Sequence, residues 1–319
     1  MGLSANVVVT HGDCDGIISA YLYIKHFMRD SWPSKISIIF TQPWRAHIDL
    51  RKSPSEVDEV VLLDLALSRE LSVVLTEMAG KTRKLTFIDH HISSLEFVNE
   101  LRKLSSSKII CEKAQSCPRL MSQALKISLN PYEQLLIDVA DVCEGSEAQN
   151  PEVARLADII KLSIARDPGD YAFMSHLINV FMNSKDVASD AITSHKYRVA
   201  KFLLSRLLKI MSERALSYGN FKIVSLTLPE SRIFAGLLGI GTTEFARLSR
   251  NDVILIRREE DKVVVTARTL SDRAFRVCRE IAKLGKGRFG GHAEAASATL
   301  PDMSIQDAVN LTVQAIKNL

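Results

Sequence analysis

Short apolar runs alternate with helical patterns over the first third of the chain, and this alternation constrains the fold more than any other feature. Runs such as VVV near the start and VVLL at residues 60–63 contain no polar residue, which is typical of strands buried on both faces of a sheet. Strands that alternate with helices predict a parallel sheet covered by helices. The predicted strands are residues 6–10, 35–40, 57–63, 85–88 and 108–111.

Helical patterns fill most of the remaining chain up to residue 219. Between the predicted strands they cover residues 16–29, 68–79 and 94–104. Beyond residue 115 they follow one another at residues 118–127, 131–142, 151–164 and 171–182. Pro stands at or near several of these starts, as is common at the first position of a helix. We therefore predict an α/β fold, with a doubly wound, mainly parallel sheet and a helical cap.

A smaller α/β unit follows a long amphipathic helix. That helix is predicted from residue 191 to residue 218, because apolar residues repeat along one face and Gly219 ends the pattern. The later strands and helices are predicted at residues 221–228, 243–248, 252–268 (a hairpin), 273–284 and 304–319, with a glycine-rich loop at 285–292 and a short helical stretch after it. We expect a first domain at 1–183, a linker with the connecting helix at 184–219, and a second domain at 220–319.

The composition excludes several classes of protein. With 46% hydrophobic and 24% charged residues, the chain resembles an ordinary globular protein and not a disordered or collagen-like one. The formal charge of +4 comes wholly from residues 220–319, where 15 Lys and Arg face 11 Asp and Glu, so an anionic ligand is expected there. The N-terminus has no basic segment followed by an apolar one, and no later run is long enough to span a bilayer. We expect a cytoplasmic protein without membrane contact.

The cysteines indicate a reducing environment. They number five and include no C-x-x-C pair, which argues against a disulfide framework and against a structural zinc site. We therefore predict that all five are reduced thiols.

Acidic and imidazole side chains follow three of the predicted strands. They are His11, Asp13 and Asp15 after the first strand, Asp64 after the third, and Asp89, His90 and His91 at the end of the fourth. The carboxyl ends of strands in a doubly wound sheet lie along one edge, so these groups should converge. Clustered carboxylates repel one another unless cations neutralise them. Carboxylate and imidazole ligands without thiolates suit Mn²⁺, or Mg²⁺, Co²⁺ or Zn²⁺, and there are enough of them for two ions.

Each of these residues also has a simpler explanation by itself. An Asp after a strand is most often a turn residue or a helix N-cap, and Asp15 before Gly16 fits that description. Asp64 has the same alternative, although Ser68 is the better cap for the next helix. A single His90 or His91 could be a core histidine that is satisfied by hydrogen bonds. The occurrence of all these groups at three neighbouring strand ends favours the metal site.

These segments resemble a known family. VVVTHGDCDGIISA, VLLDLALS and FIDHH are similar, in order and spacing, to the first three motifs of the DHH phosphoesterase superfamily. A fourth motif of that family is an Asp on a later helix, and VADVCEG resembles the corresponding segment of its RecJ-like members. The resemblance implies Asp141 rather than Asp138, a choice that helical periodicity leaves open.

The last hundred residues resemble the DHH-associated substrate domain. An Arg after a strand and a Gly-Gly-Gly-His loop followed by Ala-Ala-Gly are typical of that domain, and the matching residues are Arg268, Gly290, Gly291 and His292. Phe289 replaces the first Gly, and Ser297 replaces the last. Such a loop, with a helix start after it, could bring backbone N–H groups to an anion while Arg268 binds a phosphate. The alternative is a tight turn whose glycines supply only positive φ.

The resemblance implies a role for each residue. His11 and Asp13 would bind one ion and Asp15, His90 and Asp141 a second, with Asp64 bridging the two. Asp89 would orient an imidazole, and His91 would contact the phosphate and help to protonate the leaving oxygen. The two ions would activate a water for attack on phosphorus.

We therefore expect a metal-dependent phosphodiesterase or exonuclease acting on single-stranded DNA or RNA or on short oligonucleotides, like RecJ-like exonucleases and NrnA-type oligoribonucleases. The length leaves little room for a further strand-wrapping module, which favours short substrates. One alternative is a component of a replication or repair complex that acts mainly by binding proteins. Another is a phosphatase or phosphodiesterase of small nucleotides such as a cyclic dinucleotide or 3′-phosphoadenosine 5′-phosphate. Replication or repair proteins and a second copy of the chain are the partners to test.

Overall fold

The structure, a computed structural model, describes residues 5–53, 57–104 and 107–319. The chain divides into two compact units, Met1–Tyr197 and Arg198–Leu319, and the division falls within a long helix. In the described part of the chain, no helix has both the length and the apolar character needed to cross a membrane.

The first unit is built on a five-stranded sheet. Its elements are β1 (Ala5–His11), α1 (Cys14–Phe27), β2 (Ile36–Thr41), α2 (Ala46–Leu50), β3 (Val57–Leu63), α3 (Arg69–Ala79), β4 (Lys84–Asp89), α4 (Val98–Leu101), β5 (Ser107–Cys111), α5 (Cys117–Ala124), α6 (Pro131–Cys143), α7 (Pro151–Ala165) and α8 (Tyr171–Met182). The strand order is β2-β1-β3-β4-β5, and every neighbouring pair is parallel. This is the predicted doubly wound sheet, and the α/β fold class is confirmed.

Both faces of this sheet are buried, which explains the uninterrupted apolar runs. In β1, Val8 packs in a core with α1 and the helical cap, whereas Val7 and Val9 pack on the opposite face with residues of α3. All three valines are completely buried. Because successive side chains of a strand point to opposite faces, a strand in the middle of such a sheet needs apolar residues at every position.

Local capping fixes where several helices begin. Ser68 accepts a hydrogen bond from the N–H of Leu71 and caps α3, as its sequence position indicated. Asn130 and Glu133 form a reciprocal capping box before α6, and Pro131 occupies its first turn. These contacts satisfy N–H groups that a helix start leaves without partners.

The second unit is built on a six-stranded sheet. It contains the end of α9 (Ala191–Arg214), then β6 (Leu216–Tyr218), β7 (Phe221–Leu226), α10 (Leu228–Ile233), α11 (Leu238–Ser249), β8 (Asp252–Arg258), β9 (Lys262–Arg268), α12 (Ala274–Leu284), β10 (Arg288–Gly291), β11 (Ala295–Pro301) and α13 (Ile305–Lys317). The order is β10-β11-β9-β8-β7-β6, with β7 and β8 parallel and the other pairs antiparallel. Helices α12 and α13 pack on one face of this sheet.

Three predicted elements are wrong in detail. The long helix ends at Arg214, because residues 216–218 form the edge strand β6 against β7. The single helix predicted at 94–104 is a 3-10 segment, Ile92–Glu96, followed by α4. Residues 285–292, predicted as a loop before a short helix, lead into strand β10, and β11 follows in place of the helix. Pairing with β9 gives the small residues of β11 a strand conformation.

Candidate metal centre

The turn after β1 places three predicted ligands at the carboxyl edge of the sheet. Asp13 is the N-cap of α1, with its Oδ1 accepting a hydrogen bond from the N–H of Gly16 at 3.0 Å. The helix cap is thus Asp13, and Asp15 is free for another role. The turn is tight enough that a Cβ on Gly16 would lie 2.3 Å from the carbonyl oxygen of His11. Glycine is therefore required at this position.

Asp15 lies inside this turn and is completely buried. Its carboxylate accepts hydrogen bonds from the N–H of Cys117, at 3.2 and 3.0 Å, and from the hydroxyl of Ser19. Cys117 belongs to the first turn of α5, whose N-terminal N–H groups attract negative charge. These contacts orient the carboxylate but leave its charge without a cation.

Asp64 occupies the centre of the site. It directly follows β3 and has a left-handed backbone, with φ of 56°, which Asp tolerates better than most residues. Its Oδ2 lies 3.8 Å from Nδ1 of His11, and its Oδ1 lies 3.4 Å from Nε2 of His90. With 2% exposure, Asp64 is a buried carboxylate between two imidazoles.

His90 presents an unpaired nitrogen to the carboxylates. Its Nδ1 hydrogen-bonds to the carbonyl oxygen of Ala114 at 3.2 Å, and this contact places the ring proton on Nδ1. Nε2 is buried and has no hydrogen-bond partner, although it lies 3.5 Å from Oδ2 of Asp15 and 3.4 Å from Oδ1 of Asp64. A lone pair facing carboxylate oxygens is unfavourable unless a cation lies between them.

Asp89 orients the neighbouring His91. The Asp89 carboxylate is completely buried and lies 2.7 Å from Nδ1 of His91, so it accepts a hydrogen bond from that nitrogen. It also accepts one from the hydroxyl of Ser94. This arrangement leaves Nε2 of the partly exposed His91 as the nitrogen available to the site.

The ligand atoms form three overlapping groups, each with atoms within 4.8 Å of one another. The groups are His11, Asp13 and Asp64; Asp64, His90 and His91; and Asp15, His90 and Glu144. Asp64 belongs to two of them and His90 to two. Six of the eight predicted site residues of the first unit belong to these groups, and a seventh, Asp89, contacts His91. Asp141 belongs to none of them, and Glu144 is a further candidate that sequence reasoning missed.

The ionisation of the cluster shows that it lacks positive charge. Burial, together with repulsion from neighbouring carboxylates, raises the pKa of Asp15 and of Asp64 well above the ordinary value. Burial lowers the pKa of His11, but the Asp13 carboxylate 2.8 Å away outweighs it and raises the pKa to about 9. The carboxylate and imidazole donors and the unpaired Nε2 of His90 fit divalent metal ions, which would neutralise the buried carboxylates.

Asp141 is held by other partners. Its Oδ2 accepts hydrogen bonds from the guanidinium of Arg119, one of them at 3.0 Å, and its Oδ1 accepts one from Ser116 at 2.5 Å. Arg119 also pairs with Asp138 at 2.7 Å. Glu144 is the C-cap of α6, three residues after Asp141, and its carboxylate lies with Asp15 and His90.

A disulfide joins the two segments that supply these ligands. Cys14, between Asp13 and Asp15, is bonded to Cys143, which directly precedes Glu144. The prediction that all cysteines are reduced is therefore wrong for this pair, while Cys111, Cys117 and Cys278 are free thiols. The bond links residues 129 apart, a pairing that spacing in the sequence does not indicate.

The predicted substrate residues of the second unit lie at one end of its sheet. Arg268 ends β9 opposite Ala295, which begins β11, and His292 lies in the turn that joins β10 to β11. The N–H of His292 donates to the carbonyl oxygen of Ala295 at 2.8 Å. Gly291 has φ of 131°, and a Cβ there would lie 2.4 Å from that same oxygen, so the turn requires glycine. Strand β11 follows this turn, so the helix start that was expected to help bind an anion is not present here.

Arg268 has its full charge available to a ligand. Its guanidinium donates to the Thr243 hydroxyl at 3.1 Å and to the Ala267 carbonyl at 3.0 Å. Burial lowers its pKa, and within residues 5–53, 57–104 and 107–319 no carboxylate pairs with it. A cation held in place by neutral groups is suited to binding an anion.

Comparisons with known proteins agree with this architecture. Residues 222–318 match the DHHA1 domain. The fold is similar to PggH, a pGpG-specific phosphodiesterase from Vibrio cholerae, with a TM-score of 0.65 and 18% identity over 99% of this chain and 100% of that one. It is similar to RecJ from Thermus thermophilus in complex with Mn²⁺, with a TM-score of 0.68 and 14% identity over 99% of this chain and 52% of that one. CDC45 from Entamoeba histolytica matches with a TM-score of 0.61 and 9% identity over 98% and 95% of the two chains.

No curated protein matches the sequence. At these low identities the solved structures show a shared fold, and the family match identifies the second domain. The resemblance predicted for the last hundred residues is confirmed by the DHHA1 match, and the fold of the whole chain agrees with the resemblance seen in the three motifs. The chain shares its fold with these solved structures, and its residues 222–318 match the DHHA1 domain.

Proposed function

We propose that the protein is a metal-dependent phosphodiesterase that hydrolyses short single-stranded DNA or RNA. The observation that supports this most is the buried cluster around Asp64, in which Nε2 of His90 lacks a partner. Two divalent ions, with Mn²⁺ the first choice, suit phosphodiester hydrolysis because such a pair stabilises both the attacking and the leaving oxygen.

Each side chain has a proposed role. His11 and Asp13 would hold one ion and Asp15, His90 and Glu144 the other, and the central Asp64 carboxylate would contribute negative charge to both. When bound, the ions would lower the pKa of a water molecule and neutralise charge on the phosphate. The hydrogen bond from Nδ1 of His91 to Asp89 holds the imidazole so that Nε2 faces the substrate. With protons on both ring nitrogens, His91 would give its Nε2 proton to the leaving oxygen and become a neutral imidazole that keeps its Nδ1 proton hydrogen-bonded to Asp89.

The second unit binds the substrate in this proposal. The guanidinium of Arg268 binds a phosphate, and the turn at Gly291 and His292 lets the backbone approach it closely. Gly290, which pairs with Ser297 on β11, has open space where a Cβ would lie. The Phe289 and Ser297 departures fall in this hairpin, on the strands and not in the turn itself.

Short substrates are favoured over long ones. The fold likeness spans the whole of PggH, whose name gives the dinucleotide pGpG as its substrate. Hydrolysis of small nucleotides such as cyclic dinucleotides or 3′-phosphoadenosine 5′-phosphate would use the same metal ligands, so the substrate series must include them.

The test is a product-resolved digestion with end-labelled DNA and RNA of two, five and about 25 nucleotides. With Mn²⁺ we expect release of mononucleotides, fastest from the shortest strands, and none with EDTA. Parallel assays with a cyclic dinucleotide and 3′-phosphoadenosine 5′-phosphate compare the alternative substrates. If no substrate is hydrolysed and metal-site variants still bind replication or repair proteins as the wild type does, the protein acts by binding and the proposal is wrong.

Glu144 and Asp141 can be distinguished by metal affinity. We expect Glu144→Gln to weaken Mn²⁺ binding by at least about 10-fold, the lower end of effects seen for groups that support a metal site. Asp141→Asn should change it less, because both oxygens of Asp141 already bind Arg119 and Ser116. Titration calorimetry with Mn²⁺ measures both variants. The reverse order would assign the ligand role to Asp141, as the family resemblance implies.

A further inference from the structure

A largely exposed tryptophan follows the strand that pairs with β1, close in the chain to a residue that contacts His11. Trp44 has 72% of its surface exposed, more than any other large apolar side chain in the described residues. Exposing a ring of this size forfeits the free energy of its burial. An exposed tryptophan next to a polar cleft therefore calls for a ligand that would cover it.

The backbone places Trp44 close to the ligands. β2 lies beside β1, with Thr41 opposite His11, and the next residue, Gln42, lies 3.0 Å from Nε2 of His11 through its Oε1. Trp44 follows two residues later, a distance of at most about 7 Å along the chain. The backbone of Trp44 therefore lies near the edge of the sheet that carries His11.

The turn that presents Trp44 is rigid. The backbone N–H groups of Arg45 and Ala46 both donate to the carbonyl oxygen of Gln42 at 3.0 Å. The guanidinium of Arg45 is bidentate on Asp49, at 2.7 and 2.9 Å, and Asp49 also accepts a hydrogen bond from Thr41. The same guanidinium lies 5.7 Å from the centre of the Trp44 ring, a cation–π distance. The ring is thus oriented before any ligand arrives.

A second exposed aromatic ring packs on β2, the strand that leads to Trp44. Tyr171, the first residue of α8, is 49% exposed and stacks on Phe40 of β2 with ring centres 6.1 Å apart. It lies near enough to Arg45 for the two side chains to interact electrostatically. Two exposed rings on fixed supports beside a phosphate-cleaving site form a surface for stacking planar groups.

We infer that Trp44, supported by Tyr171, stacks on a nucleobase of the substrate next to the phosphate that is cleaved. The inference rests on the proposed phosphodiesterase function and gives it a physical basis for preferring nucleotides over simple phosphodiesters. Stacking tolerates any base, because every base has a π face. The platform therefore supplies affinity without sequence preference.

The experiment compares substrates with and without the base. Wild type and Trp44→Ala are assayed on a trinucleotide and on the same trinucleotide with abasic sites. For Trp44→Ala we expect kcat/KM on the normal substrate to fall by about 5- to 150-fold, the range for loss of one stacked base. Activity on the abasic substrate should be unchanged. Trp44→Phe should restore most of the loss, because it keeps a ring at this position.

The matched control is Phe27→Ala. Phe27 is 45% exposed at the far end of α1, a helix about 20 Å long whose other end holds Asp13 and Asp15. This variant should behave as the wild type on both substrates. An equal loss on normal and abasic substrates, or no loss on either, would overturn the stacking role.

Fluorescence separates this inference from the proposed function. The chain contains two tryptophans, Trp32 and Trp44, so the Trp44→Ala variant gives the signal of Trp32. In EDTA, a base-containing oligomer should quench wild-type fluorescence, whereas an abasic oligomer should not. Quenching in EDTA, together with no hydrolysis of any substrate when Mn²⁺ is added, would support the stacking role and contradict the phosphodiesterase. Equal hydrolysis of base-containing and abasic oligomers would support the phosphodiesterase and contradict the stacking role.

Discussion

Asp64→Asn is expected to reduce metal-dependent hydrolysis by at least about 10³-fold, or about 4 kcal/mol of transition-state stabilisation. Asp64 is the carboxylate that belongs to both the His11 group and the His91 group. Asparagine keeps the shape of the side chain and one carbonyl oxygen, but it removes the negative charge that two cations would share. The loss should therefore affect both ions and not only one.

Rate and metal binding must be measured together for this variant. Mn²⁺ titration by calorimetry should show weaker binding or fewer ions per chain, while the circular dichroism spectrum stays that of the wild type. Asp58→Asn is the matched control, because Asp58 lies on the same strand, β3, where it makes only a 3.5 Å surface pair with Arg83. If Asp64→Asn retains the wild-type rate and stoichiometry, the proposed metal centre is wrong.

The same variant should not destabilise the metal-free protein. Because burial and its carboxylate neighbours raise the pKa of Asp64, the folded state binds a proton that the unfolded state has lost above pH 3.8. The free energy of unfolding therefore falls as pH rises from there toward the raised pKa. Asparagine does not titrate, so the Asp64→Asn variant does not lose this free energy as pH rises. At pH 8 without metal, the Tm of the variant should equal or exceed that of the wild type. A purely structural role for Asp64 would lower the Tm.

The sheet of the first unit could be predicted because its sequence signal is strong and local. The VVV run of β1 requires burial on both faces, and the structure buries Val8 on one and Val7 and Val9 on the other. Strand ends also follow from sequence, since the polar residues begin where the apolar run stops. This is why His11, Asp64 and His90 could be placed at one edge of the sheet from the amino-acid sequence alone.

Elements that depend on distant pairing could not be predicted. Residues 216–218 continue the apolar pattern of α9, and only their antiparallel pairing with β7 makes them a strand. Residues 295–298 are small and helix-compatible by propensity, but they pair with β9 across the sheet. Local propensity is weak compared with such tertiary contacts.

Glu144, the candidate ligand that was missed, illustrates the same limit. Sequence resemblance implies Asp141, whereas Glu144, one turn later and at the end of α6, lies with Asp15 and His90. Periodicity gives the face of a helix but not which residue of its last turn reaches another segment. The pairing of Cys14 with Cys143 could not be predicted for a similar reason, because the two cysteines lie 129 residues apart in the sequence.

Reduction of that disulfide is expected to lower the stability of the first unit by about 2–5 kcal/mol, because a bond that closes so long a loop strongly restricts the unfolded chain. For a domain of this size the Tm should fall by roughly 5–15 °C. Cys143→Ser should give the same shift without reductant. The shift is measured by thermal melts of wild type and Cys143→Ser, each with and without a phosphine reductant. Reductant should lower the Tm of the wild type but not that of the variant.

Thiol counting verifies the bond independently. Denatured, unreduced protein should react at three cysteines, and reduced protein at all five. In the native state at pH 8 reaction should be slow, because burial raises the pKa of Cys111 to about 11 and that of Cys278 to about 12, so that little thiolate forms. Five reactive thiols without reductant, or a Tm that reductant leaves unchanged, would contradict the disulfide.

The same bond should affect metal binding as well as stability. It fixes Cys14, between the ligands Asp13 and Asp15, to the residue before Glu144, so it limits how far the two ligand segments can separate. Without the bond, the end of α6 has to be ordered by the ion itself, and that ordering costs conformational entropy. Mn²⁺ affinity should therefore fall on reduction in the wild type, whereas the affinity of Cys143→Ser should be low already and insensitive to reductant.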